Sequence, residues 1–208
     1  MEFDLVFEVY FMIHLQQYLS LEQQNQVLQA CREVARISPL YTPTMPSGKP
    51  FNCQQTSCGS YGWISDRSGY RYSEIHPNTG KPFAPIPEAI YNLSKSLTTQ
   101  IGELDYIPQT CLINYYKSSG RLGLHQDNSE KNLKPAIISI SLGDDAVFLI
   151  GGTKRSDATK EILLKSGDII IMNGESRLLF HGVKKIITGT SNLLRNGGRL
   201  NLTIRQVN

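Results

Sequence analysis

A chain of 208 residues, 40% hydrophobic and 19% charged, suits one folded domain whose core needs no disulfide staples. The same figures exclude a disordered tail, a coiled coil and a collagen-like repeat. The net charge of +3 is too small to mark a nucleic-acid binder, but it is unevenly placed: residues 105–208 carry fourteen of the 21 basic and nine of the 18 acidic side chains, which favours an anionic partner there.

In chain order, the apolar start MEFDLVFEVYFMIH carries Glu2, Asp4 and Glu8 where a secretion signal needs positive charge. Residues 5–16 are rich in Val, Phe, Tyr and Ile and read as a strand. Ser20 and Gln23 form a capping box for a helix that ends near Ile37, with Leu21, Leu28, Cys31 and Ala35 expected on its buried face. Residues 40–82 are crowded with Gly and Pro and interleaved with Phe51, Tyr61, Trp63, Tyr70 and Tyr72. That mixture breaks long elements and is too aromatic for a linker, so it reads as short hairpins forming a flap. A second helix starts at Pro87, with Ile90, Leu93 and Leu97 on one face. From residue 109 the period changes. Strands are expected at 110–116, 136–142, 146–150, 161–165, 168–172, 178–186 and 199–207, separated by turn residues; such a series signals a β-sandwich or barrel.

No apolar run approaches the length of a membrane span. The four cysteines, Cys31, Cys53, Cys58 and Cys111, include no Cys-x-x-Cys pair. A soluble cytoplasmic protein with free thiols is the expectation.

Three segments carry chemistry. In Leu124-His125-Gln126-Asp127, an extended backbone points His125 and Asp127 to the same side. His181 follows after 53 residues in a strand-like run. Two histidines and a carboxylate form a facial triad suited to Fe(II), with zinc as the rival metal. In the stretch 198–205, Arg199, Asn201, Thr203 and Arg205 alternate with Leu200, Leu202 and Ile204. The polar face could lie in water, or its two guanidinium groups could hold a dicarboxylate. Asn114 and Tyr116 share a strand face upstream of His125 and could contact the same small acid.

Together these segments resemble the AlkB family of Fe(II)- and 2-oxoglutarate-dependent dioxygenases, near its bacterial members, over about residues 40–207. The matching stretches are NCQQTSCGSYGWISDRSGYRYS, CLINYYKSSGRLGLHQD, SISLGDDAVFLIGGTKR, GDIIIMNGESRLLFHG and RLNLTIRQ. The resemblance implies an α+β, mainly β fold: a double-stranded β-helix, or jelly roll, with N-terminal helices and a nucleotide-recognition lid. The expected division of this one domain, 1–208, is an N-terminal strand and helix (1–39), the lid (40–82), a helix (83–104) and the catalytic core (105–208). His125, Asp127 and His181 would hold iron. Arg199 would bind the distal carboxylate of 2-oxoglutarate and Arg205 the carboxylate beside its keto group, with Asn114, Tyr116 and Asn201 assisting. Trp63 would stack on an extruded base, Tyr70 would contact the nucleic-acid backbone, and Arg155 and Ser129 would lie near the substrate.

The implied reaction is oxidative demethylation of 1-methyladenine- and 3-methylcytosine-type bases, a direct-reversal DNA repair. It uses O2, converts 2-oxoglutarate to succinate and releases formaldehyde. Single-stranded DNA is the expected partner of a monomeric enzyme, with an RNA or tRNA base demethylase or hydroxylase as the alternative. A binding module without turnover would need a degraded ligand set, and the set is complete. Departures from the family pattern fall at Asn128 and Ser129, where bacterial members carry a basic and then an acidic residue, at Met172 in place of a Trp, and at the polar Gln55 in the lid.

Overall fold

The computed structural model describes residues 12–208. Most of the strand expected at 5–16 therefore lies outside the described residues; its end forms β1 (Ile13–Leu15). Helix α1 (Leu21–Ile37) opens on the capping box, with Gln23 N donating to Ser20 Oγ and Ser20 N to Gln23 Oε1. Its buried stripe is Val27, Leu28, Cys31 and Val34, whereas Leu21 is 68% exposed. Leu28 and Cys31 lie on the expected face, but Leu21 falls at its exposed edge, because the stripe runs through Gln24, Val27, Cys31 and Val34. Helix α2 (Glu88–Gln100) is capped at Pro87 and buries Ile90 and Leu97 completely.

The β body has two sheets. The larger contains β1, β2 (Gln54–Gly59), β5 (Thr110–Tyr116), β7 (Ile137–Gly143), β10 (Ile169–Met172) and β12 (Arg199–Arg205), in the order β1-β10-β7-β12-β5-β2. The smaller contains β6 (Leu122–His125), β8 (Asp145–Ile150), β9 (Lys160–Leu164) and β11 (His181–Ile187), in the order β6-β11-β8-β9. Strand neighbours in both are antiparallel. This is the jelly-roll arrangement. Within residues 40–82, β2 joins the larger sheet, while β3 (Gly62–Asp66) and β4 (Gly69–Ser73) form a separate hairpin.

Two hydrophobic clusters follow from strand alternation. Leu200, Leu202 and Ile204 of β12 point to the helices, as do Ile138, Ile140 and Leu142 of β7. The opposite faces of these strands turn toward the smaller sheet, where Tyr116, Ile137, Ile170 and Met172 meet Phe148, Ile150 and Val183. Residues of this second cluster line a cavity together with polar side chains of β5, β7 and β12, and those polar groups hold the chemistry. Two expectations need correction here. Residues 178–180 do not belong to a strand, because a 3-10 turn, Gly174–Leu178, precedes β11. Strand β6, too short and glycine-containing to stand out in the sequence, is an added element.

Candidate active site at the mouth of the jelly roll

His125 ends β6 and His181 begins β11, and the two are direct register partners. Asp127 follows two residues later, as extended geometry requires. His125 Nε2 lies 3.7 Å from Asp127 Oδ1, and His181 Nε2 lies 3.7 Å from Oδ2. The three donor atoms fall within 4.8 Å of one another, a spacing that a metal ion bonded at about 2.0–2.2 Å to each would bridge. The imidazole tautomers fit. Each Nδ1 sits 2.9 Å from a backbone carbonyl, Gly123 O for His125 and Leu179 O for His181. Carbonyls only accept, so each Nδ1 carries the proton and each Nε2 lone pair faces the common point. Burial first, and then repulsion from His125, lower the His181 pKa to about 4, against the pull of Asp127. His181 is therefore a neutral ligand at pH 7. Burial alone would raise the Asp127 pKa, but Arg205, His181, His125 and Arg177 overrule it and hold the carboxyl well below the usual range.

The inward face of β12 supplies the floor. Arg205 places Nη2 2.7 Å from Asp127 Oδ2 and donates from Nη1 to Tyr72 Oη at 3.1 Å. Burial would lower its pKa; the neighbouring Asp127, Tyr72 and Glu130 raise it instead. Asn201 faces Asn114 across the β12–β5 ladder and donates to Ser139 Oγ at 2.7 Å. Arg199 lies opposite Tyr116, is 1% exposed, and donates to Ser141 Oγ and to the carbonyl of Asp144. Burial lowers its pKa to about 10, so it stays charged at neutral pH. Its buried Nε has no hydrogen-bond partner. A buried guanidinium is costly unless a carboxylate meets it. No carboxylate bonds to Arg199 among the described residues, so its surroundings fit the end of a dicarboxylic acid.

A cavity of about 620 Å³ joins these groups to the surface. Asn114, Tyr116, Met172, Asn201 and Arg205 line its deep part, and Arg199 sits beside Tyr116 just outside that lining. The outer part is lined by Phe51, Trp63 and Tyr70 from the flap side and by Asn128, Ser129 and Arg155 from the core. In the β3–β4 hairpin Trp63 pairs with Tyr72, and Ser65 with Tyr70, so Trp63, Tyr70 and Tyr72 share a face. Trp63 stacks on Tyr70, with ring centroids 5.5 Å apart and planes at 13°. Gln55 Nε2 donates to the Trp63 carbonyl and to Tyr41 Oη, both at 3.0 Å, which ties the aromatic hairpin to β2. Arg155 lies 5.2 Å from the Phe180 ring centroid and is exposed.

Sequence reading missed a buried charge network behind the triad. Arg177 Nη2 meets Glu130 Oε2 at 3.0 Å, and Glu130 Oε1 accepts from Tyr72 Oη at 2.5 Å. Arg177 also donates to the carbonyl of Asp127, which fixes the segment carrying that carboxylate. Alternation of Tyr70 and Tyr72 about a hairpin turn was the available sign for Tyr72; the partners of Glu130 are set by contacts far apart in the chain.

The 2OG-Fe(II) oxygenase superfamily model matches residues 11–205. The chain is 42% identical over 188 residues to an alpha-ketoglutarate-dependent dioxygenase AlkB homolog of Caulobacter vibrioides, covering 90% of this chain and 84% of that protein. It is 40% identical over 182 residues to the alpha-ketoglutarate-dependent dioxygenase AlkB of Escherichia coli, covering 88% and 84%. Among solved structures, that of OsALKBH1 superposes with a TM-score of 0.81 at 32% identity, covering 94% of this chain and 96% of the other.

Proposed function

The chain belongs to the AlkB family of the 2OG-Fe(II) oxygenase superfamily, and from that premise we propose that it oxidatively demethylates N-alkylated bases, of the 1-methyladenine and 3-methylcytosine type, in single-stranded DNA. It is an Fe(II)- and 2-oxoglutarate-dependent dioxygenase. The observation that carries the substrate reading is the placement of the His125–Asp127–His181 cluster in a cavity walled on one side by Trp63 and Tyr70.

His125, Asp127 and His181 would hold the iron, and Arg199 and Arg205 the two carboxylates of 2-oxoglutarate, with Asn114, Tyr116 and Asn201 fixing its orientation. Once bound, these cofactors and O2 supply the oxidation: an N-methyl base, O2 and 2-oxoglutarate become the demethylated base, formaldehyde, succinate and CO2. The protein's own part is placement. The carbonyls of Gly123 and Leu179 keep the imidazole lone pairs aimed inward. Arg205 holds Asp127 ionised, and Arg177 anchors its backbone. A base stacked in a duplex cannot enter such a cavity, so it must be single-stranded or flipped. The Trp63–Tyr70 face would then stack on the extruded base, a contact worth about 1–3 kcal/mol. Arg155, Arg67 and Arg71 are exposed near the cavity or on the hairpin; Arg71 is shared with Asp66 in a two-point ion pair. We place the enzyme as a monomer in the reducing cytoplasm, where four buried free thiols persist.

Methylated and unmethylated DNA and RNA oligonucleotides, incubated with Fe(II) and 2-oxoglutarate and read by mass, test the proposal. Formaldehyde release and a loss of one methylene mass from methylated DNA are expected, and His125→Ala should abolish both. Faster turnover of matched RNA would move the substrate to RNA.

A further inference from the structure

The charges around the cavity bear on which alkylated bases it takes, a question that rests on the dealkylase reading above. Histidines aside, four charged side chains line the cavity: Asp127, Glu130, Arg155 and Arg205. Neither carboxylate is available to a substrate. Asp127 faces two imidazoles and the Arg205 guanidinium at 2.7 Å. The Glu130 side chain is fully buried and is enclosed by Arg177 at 3.0 Å, Tyr72 at 2.5 Å and Arg205 at 3.5 Å. The two positions that continue the wall beyond Asp127, Asn128 and Ser129, are uncharged and exposed. The remaining ionised group at the mouth, Arg155, is positive.

Fe(II) brings two positive charges and 2-oxoglutarate two negative ones, so loading the enzyme adds no net counter-charge. A base with a fixed positive charge would give up water here without gaining a carboxylate. An uncharged alkylated base of the same shape loses far less. Specificity is a difference of affinities, and nothing in this wall penalises the uncharged member of such a pair.

We propose that the site does not select for cationic lesions: uncharged N-alkylated bases, of the 3-methylthymine and 1-methylguanine class, are processed at least as well as their cationic counterparts. Ser129 is a position at which that neutrality can be changed, since it lies uncharged and exposed on the cavity wall beside Asn128.

Matched single-stranded oligonucleotides carrying 3-methylcytosine or 3-methylthymine, and 1-methyladenine or 1-methylguanine, test this with the iron-loaded enzyme and 2-oxoglutarate. Each pair keeps the methyl position and changes the charge, the exocyclic amino group of the cationic member being a carbonyl in the uncharged one. The expected ratio of kcat/KM, cationic over uncharged, is about one or lower in both pairs. To separate recognition from the intrinsic reactivity of each base, dissociation constants are measured with Mn(II) in place of iron and 2-oxoglutarate bound; the same ordering is expected. Ser129→Asp should raise the cationic-over-uncharged ratio about tenfold. Tighter binding of the cationic member of both pairs by more than about fivefold, or an unchanged ratio in Ser129→Asp, would overturn the proposal. Failure to release formaldehyde from any of the four would instead overturn the dealkylase reading on which it rests.

Discussion

At the residue scale, the least negotiable group is Arg199. It is buried opposite Tyr116 with its Nε unpartnered, and the distal carboxylate of 2-oxoglutarate, in the role proposed above, would supply its missing counter-charge. Arg199→Lys keeps the charge and loses the planar fork, so the half-saturating 2-oxoglutarate concentration should rise about 10- to 100-fold while KM for the oligonucleotide stays within about twofold. Succinate formation at varied 2-oxoglutarate measures the first and formaldehyde at varied oligonucleotide the second; equal effects on both would refute the assignment. Much of this site could be read from sequence because alternation alone gathers Arg199, Asn201, Thr203 and Arg205 on one face and brings His125 and Asp127 together. Glu130 and Arg177 could not be read that way. Their pairing joins residues 47 apart and depends on a 3-10 turn that no periodicity announces.

At the element scale, two short segments control the site. Strand β6 reaches its place only because Gly182 on β11 lacks a side chain. A Cβ there would lie 2.7 Å from the Leu122 carbonyl and 3.0 Å from that of Gly123. Gly182→Ala should push the strands apart, separate His125 from His181 and weaken metal binding about tenfold or more, with far-UV circular dichroism little changed; isothermal titration with Mn(II) reads the first effect. The β7–β8 turn holds Arg199. Buried Asp144 accepts backbone N–H groups from Thr190, Ser191 and Gly198, while its own carbonyl receives Arg199. Asp144→Ala removes the acceptor of the three N–H groups while keeping the carbonyl that receives Arg199; it should cost about 1–3 kcal/mol of stability and, by loosening the turn that carries this carbonyl, raise the 2-oxoglutarate requirement severalfold. A melting temperature unchanged from the parent would contradict this. The strands were legible at this scale because β5, β7 and β12 alternate or run apolar. Helix α1 was legible as a helix and in Leu28 and Cys31 of its buried face; Leu21 was placed there too, yet it lies at the edge of the stripe and stays exposed.

At the scale of the whole molecule, the helices cover one side of the larger sheet and the smaller sheet covers the other, with the cavity between the sheets. All four cysteines fall inside this arrangement and none is paired. Burial pushes the Cys53 thiol up to about 12 and Cys31 higher still, so little thiolate exists at pH 7. A chromogenic thiol reagent should therefore leave the native protein unmodified over minutes and titrate four groups in denaturant. Rapid reaction of a native thiol would show a looser packing than described. The order of strands and helices was legible from the sequence, whereas the closure of the two sheets on one another was carried by the family resemblance, because strand order in a sheet is decided by contacts distant in the chain.

Strand β6 is an edge strand, hydrogen-bonded within its sheet to β11 alone, yet it delivers His125 to the shared point. An ion held by His125, Asp127 and His181 would be a clasp on the most weakly fastened strand of the smaller sheet. Amide hydrogens in Leu122–His125 should then exchange much faster in the metal-free protein than those of β12, and slow when metal is added. The same few atoms would thus set both reactivity and the local lifetime of the closed state, and exposure to chelators would be felt first as opening at this edge, before any loss of the core.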